Sequence, residues 1–85
     1  MTLIEWDAQD NIIPIKIALY LNMSLIYINF EKNFDKAVYN ATLSIKLDPK
    51  NVKGFFRRGN AFMARGDYEM AIADFKDGLS IESTN

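Results

Sequence analysis

Two stretches of this 85-residue chain match each other at an offset of 34 residues, and that internal repeat constrains the fold more than any other feature. Phe34 aligns with Tyr68, Ala37 with Ala71, Val38 with Ile72, Ala41 with Phe75, Ser44 with Gly78 and Ile45 with Leu79. Upstream of each stretch lies another matching pair, now at an offset of 35: Tyr20 with Phe55, Ser24 with Gly59 and Tyr27 with Phe62. The matches recur at spacings of three, four and seven, the period of a helix face, so each repeat is a pair of helices. Units of this kind stack in a line, each burying its apolar side against the next. An ordinary four-helix bundle with a coincidental period is the competing architecture.

Turn signals divide the chain into four predicted helices. The first runs from about Pro14 to Asn29 and is apolar nearly all round, as expected of a helix buried on two sides. The second begins near Asn33 and ends at Asp48-Pro49, because the residue before proline is pushed out of the helical region. Its stripe is Phe34, Ala37, Val38, Ala41 and Ile45, which leaves Asp35, Lys36, Tyr39, Thr42 and Lys46 to solvent. Asn51 caps a third helix over 52–64, and Gly66-Asp67 breaks it and starts a fourth over 68–81. The fourth stripe is Tyr68, Ala71, Ile72, Phe75 and Leu79. Residues 12–50 and 51–85 are then two units, and 1–11 is a linker or the tail of a preceding one. Small residues fall where the paired helices must cross closely, Ser24 over Ala37 and Gly59 over Ala71.

Composition removes most chemistry. The chain has no Cys and no His, so disulfides, thiolate nucleophiles, the usual general base and the common zinc sites are all excluded. Its Asp and Glu residues are scattered, with no pair in an apolar setting that would tune one for acid or base work. No catalysis, cofactor or metal is expected, and a reducing compartment follows from the cysteine count. With 49% apolar and 25% charged residues the chain is globular in composition and not disordered. A net charge of −1 gives no general attraction to nucleic acid or anionic membrane. The apolar stretch from Ile12 to Phe30 carries Pro14, Lys16, Asn22, Ser24 and Asn29, too many polar groups for a spanning helix. A nucleic-acid reader needs basic residues along several units, and the first helix offers only Lys16.

The third helix is the exception to this neutrality, holding Lys53, Arg57 and Arg58 with no acid among them. Lys53 and Arg57 are four apart and so neighbours, a like-charge arrangement that costs ~0.2–0.5 kcal/mol in an isolated helix. An ammonium beside a forked guanidinium suits a carboxylate. On physics alone, a solvated basic face accounts for the same residues equally well.

A 34-residue period of two-helix units, with Asp48-Pro49 at the unit boundary, resembles the tetratricopeptide repeat family. That resemblance implies an all-α fold of antiparallel helix-turn-helix units in an α-solenoid, with the first helix of each unit lining a concave surface. Leu21-Asn22-Met23-Ser24-Leu25, followed by Lys53-Gly54-Phe55-Phe56-Arg57-Arg58-Gly59, is similar to the carboxylate-clamp domains of FKBP-type immunophilins and other heat-shock co-chaperones. The similarity covers about 12–81. It implies that Asn22, Lys53 and Arg57 hold carboxylates of the Glu-Glu-Val-Asp tail of seventy- and ninety-kilodalton heat-shock chaperones. Leu25, Asn29, Phe56, Asn60 and Met63 would line the rest of the groove, in a cytoplasmic, non-catalytic module.

The chain departs from the family pattern in places. Its first unit has one extra residue between helices, in Asn29-Phe30-Glu31-Lys32-Asn33; Ala41 replaces a bulky aromatic, and Ser83 stands where proline is usual. The family clamp also draws a Lys and an Asn from a unit that would precede Ile12, and arrays end in a capping helix that would follow Asn85. These features lead to the expectation that the face with Ile13, Ile17 and Leu21 is left open, and that the chain forms a symmetric dimer, with or without exchanged helices.

Overall fold

Turn chemistry sets the boundaries of four helices in the computed structural model, which describes residues 12–83. Pro14 occupies the first turn of α1 (Ile13–Asn29), where a missing N–H forfeits no helical bond. Asn33 opens α2 (Phe34–Leu47), its side-chain oxygen accepting from the Lys36 N–H at 3.2 Å. Asp48, extended ahead of Pro49, ends it. Asn51 caps α3 (Val52–Arg65) by accepting from the Lys53 N–H at 3.0 Å. Gly66 then takes a φ of 92°, a left-handed turn that lets the Asp67 N–H reach back to the Phe62 carbonyl at 2.8 Å. After that break α4 (Tyr68–Ser83) completes the second unit. In the longer first turn the left-handed residue is Lys32, with φ 54°. The linker or repeat tail expected at 1–11 lies outside the described residues.

Packing order separates an array from a bundle. α1 packs on α2 and α3 on α4; α2 joins the units by packing on α3, and α1 lies beside α3. Among the described residues α1 and α4 do not touch, whereas a closed bundle would bring its first and last helices together. The chain is an open, all-α helical repeat.

Close crossings hold each pair, and they use the small residues that the repeat aligns. In the first unit the Ser24 hydroxyl, fully buried, donates to the Ala37 carbonyl at 2.7 Å. In the second unit two aromatics fit two glycines reciprocally. Phe75 of α4 lies over Gly59 of α3, so close that an added Cβ would stand 2.6 Å from its Cε1. Phe56 of α3 lies over Gly78 of α4 with the same 2.6 Å clearance, and the two rings are tilted, 6.3 Å apart. Such contacts leave no room for a Cβ at Gly59 or Gly78, although glycine is a poor helix former.

Three expectations need correcting. Of the fourth stripe only Ala71 is buried and Phe75 half-buried; Tyr68, Ile72 and Leu79 face solvent, and the core-facing places go to Ala71, Asp74 and Gly78. Phe56 of α3 lies over α4 at Gly78, which leaves room there only for a small residue. Thr42 is half-buried, donating to the Val38 carbonyl at 2.8 Å and meeting Arg58, because α3 covers it. On α1, Ile17 and Leu21 are buried; the open row is instead Ile15, Leu19, Met23, Ile26 and Phe30.

Candidate functional site

The two helices that line up at an offset of 35 present the same face. Ala18, Asn22, Leu25 and Asn29 of α1 correspond to Lys53, Arg57, Asn60 and Ala64 of α3, and α1 and α3 lie side by side. All eight are exposed except Arg57, which is half-buried. Met63, one position from Ala64, is exposed too. Phe56 is placed differently from the rest of the expected groove. It corresponds to the buried Leu21 and turns its ring onto Gly78, so its volume fills the α3–α4 crossing.

The basic side chains of α3 divide into two classes. Arg58 forms a bidentate pair with Asp74, Nε and Nη2 each donating at 2.8 Å to a carboxylate whose side chain is 5% exposed. That pairing raises the guanidinium pKa above its ordinary value, against the opposing effect of burial. Its Cζ also lies 5.8 Å from the centre of the Phe55 ring and 6.0 Å from that of Phe62. Arg65 donates to Asp67 from Nε and, across the unit boundary, to Asp35 from Nη1 at 2.8 Å, which likewise raises its pKa. Lys53 and Arg57 are different. Neither side chain has an ion pair or hydrogen bond among the described residues.

Two cations four residues apart, without internal acids, leave a site that an external anion would complete. The exposed residues of the same two helices include amides and apolar groups: Asn22, Asn29 and Asn60 with Leu25 and Met63. A carboxylate can accept from a lysine, an arginine fork and an amide together, and apolar surface beside them can cover an aliphatic side chain. Among the described residues no group of three or more acidic side chains could hold a metal ion, and no helix is long and apolar enough to cross a membrane.

Sequence reasoning grouped Arg58 with Lys53 and Arg57 because it missed Asp74. A signal was available: position 74 aligns with Asn40, which is also polar and buried, its Nδ2 donating to the Lys36 carbonyl at 2.8 Å. A polar residue repeated on the inner side of both second helices marks a place where the core contains a hydrogen-bonding group.

Comparisons with known proteins agree with the helical-repeat fold. A family model described as "Tetratricopeptide repeat" matches residues 52–85. Peptidyl-prolyl cis-trans isomerase FKBP4 of Bos taurus is 34% identical over 71 residues, 84% of this chain and 15% of its own length. Human serine/threonine-protein phosphatase 5 is 33% identical over 69 residues, 81% of this chain and 14% of its own. Peptidyl-prolyl cis-trans isomerase CYP7 of Saccharomyces cerevisiae is 32% identical over 75 residues, 81% of this chain and 19% of its own. The chain thus spans less than a fifth of each of these relatives.

Proposed function

The chain belongs to the tetratricopeptide repeat family through residues 52–85, and we propose that it is a peptide-binding module for acidic tails that end in a free carboxylate. The observation that carries this reading is the division among the cations of α3. Arg58 and Arg65 are neutralised by Asp74, Asp35 and Asp67, while Lys53 and Arg57 have no such partner among the described residues. Asn22, Lys53 and Arg57 hold the carboxylates; Leu25, Asn29, Asn60 and Met63 lie along the remaining chain of the ligand. The resemblance to co-chaperone domains suggests the occupant: the Glu-Glu-Val-Asp tail of seventy- and ninety-kilodalton heat-shock chaperones. A cytoplasmic site of action belongs to the same proposal. No catalytic step is assigned to these 85 residues, whose role is recognition.

A short peptide held mainly by charge should bind in the micromolar range, ~−8 kcal/mol at most, and weaken as salt screens the exposed pairs. A second reading, a scaffold that packs against another protein domain, is favoured by the exposed row on α1. The experiment is an anisotropy titration of a labelled Glu-Glu-Val-Asp-ended peptide against the chain and its Lys53→Ala and Arg57→Ala variants. Losing one charge-assisted contact of ~1.5–3 kcal/mol weakens binding about tenfold or more. If both variants bind like the parent, the scaffold reading replaces the peptide one.

A further inference from the structure

The residues that fix α3 against its neighbours stand one place along the helix from those that face the groove. Gly54 backs onto Ser44 and Ile45 of α2, Arg58 donates to the Thr42 hydroxyl from Nη1 at 3.4 Å, and Arg65 pairs with Asp35. Each directly follows a residue of the groove row: Lys53, Arg57 and Ala64. Consecutive helical residues point about 100° apart, so whatever fixes the first row also fixes the direction of the second. The three holds are unequal. Gly54 has no side chain to grip with and only allows the close approach. Arg65 reaches an Asp35 side chain that is 84% exposed, a tie that water and salt weaken. Arg58 is held from two other helices at once. On α4 both carboxylate oxygens of the buried Asp74 accept from it at 2.8 Å, and on α2 the Thr42 hydroxyl accepts from it while donating to the Val38 carbonyl.

We propose that Arg58 and Asp74 are positioning residues for the peptide site: without touching the ligand, the pair fixes the roll of α3 about its axis and so aims Lys53 and Arg57 into the groove. This rests on the peptide reading above. A binding constellation works within about 0.5 Å of its productive geometry, held there by hydrogen bonds behind the contacting groups. A roll of about 10° carries a group about 6 Å from the helix axis through ~1 Å, which exceeds that tolerance. Asn22 belongs to α1 and keeps its place, so the loss falls on what α3 contributes. The fork of Arg58 suits this task because its two parallel bonds to one carboxylate fix direction as well as distance. Apolar residues of similar volume could fill the same space but would not define one roll angle as sharply.

The test compares, in the full 85-residue chain, the affinity for a Glu-Glu-Val-Asp-ended peptide with that for its amidated form, with folding followed by circular dichroism. Unfolded chain binds neither peptide, so a variant that is only less stable weakens both alike and leaves their ratio unchanged. Two changes remove the fork: Asp74→Asn, which keeps the shape and takes away the charge, and Arg58→Met combined with Asp74→Leu, which keeps the packing and so the fold. The parent should prefer the free acid about tenfold, and in both changes that ratio should fall about threefold or more. Asp35→Asn, which cuts only the exposed tie of Arg65, should leave the ratio where it was. A parent that discriminates while the folded Arg58→Met, Asp74→Leu chain keeps the same ratio overturns the positioning role and leaves the peptide reading standing. An equal fall in Asp35→Asn overturns it too, since any loosening of the junction would then suffice. A parent ratio near one overturns the peptide reading itself, and the positioning role with it.

Discussion

Replacing Arg58 with Ala should cost far more than replacing its neighbour Arg57, although the two are identical in sequence terms. Arg58 gives both hydrogen bonds of a bidentate pair to Asp74, whose side chain is 5% exposed. Its loss strands a buried carboxylate, and breaking such a pair costs ~3–5 kcal/mol. Arg58 is itself 22% exposed, so water reaches one end of the pair and the lower figure, about 3 kcal/mol, applies. A chain of this length holds ~4–13 kcal/mol in total, and each kcal/mol moves the melting temperature by ~4–8 °C, so a fall of ~12–24 °C is expected. Arg57→Ala, with no described partner, should stay within about 0.5 kcal/mol of the parent. The assay is thermal and urea unfolding of Arg58→Ala, Asp74→Ala, the double variant and Arg57→Ala. The double variant should lose less than the sum of the singles, since neither then leaves the other stranded. Additive losses, or an Arg58→Ala chain that melts like the parent, would show that Arg58 and Asp74 do not stabilise each other.

Two further substitutions test the packing. Gly59→Leu should destabilise by ~2–3 kcal/mol in urea, because even its Cβ would stand 2.6 Å from Phe75, and Phe75→Ala in the same chain should restore part of the loss. Gly66→Ala has open space around the new methyl, so its loss of ~1–2 kcal/mol, read by the same unfolding assay, comes from the φ of 92° alone.

The helix boundaries were legible because each rests on a local signal: Asn33 and Asn51 as caps, Asp48-Pro49 as a stop and Gly66 as a left-handed end. The pairing of helices was legible from the repeat, which aligns Ser24 with Gly59, the small residues at the close crossings; Ser24 meets Ala37 as expected, whereas the group over Gly59 is Phe75, where Ala71 was expected. What was not legible is which side of α4 faces inward. Hydropathy favours Ile72 and Leu79 for the core, yet Phe56 and Phe75 fill the space between α3 and α4, leaving room inside only for Ala71, Asp74 and Gly78. How two helices interlock, each placing one aromatic over the other's glycine, is a tertiary fact that periodicity does not encode. The same limit hid the Arg58–Asp74 pair, whose members are sixteen residues apart. Lys53 and Arg57 could be named from sequence, but their difference from Arg58 needed the position of every acid.

The central claim is that Lys53 and Arg57, with Asn22, recognise carboxylates at the end of a peptide. Isothermal titration with a Glu-Glu-Val-Asp peptide bearing a free C-terminus, then with the same peptide amidated, tests it most directly. Amidation removes one charge and leaves every other group of the ligand unchanged. Affinity should fall about tenfold or more, equivalent to one charge-assisted contact of ~1.5–3 kcal/mol. Equal binding of the two peptides, or no binding of the free acid at concentrations well above the micromolar range, would contradict it.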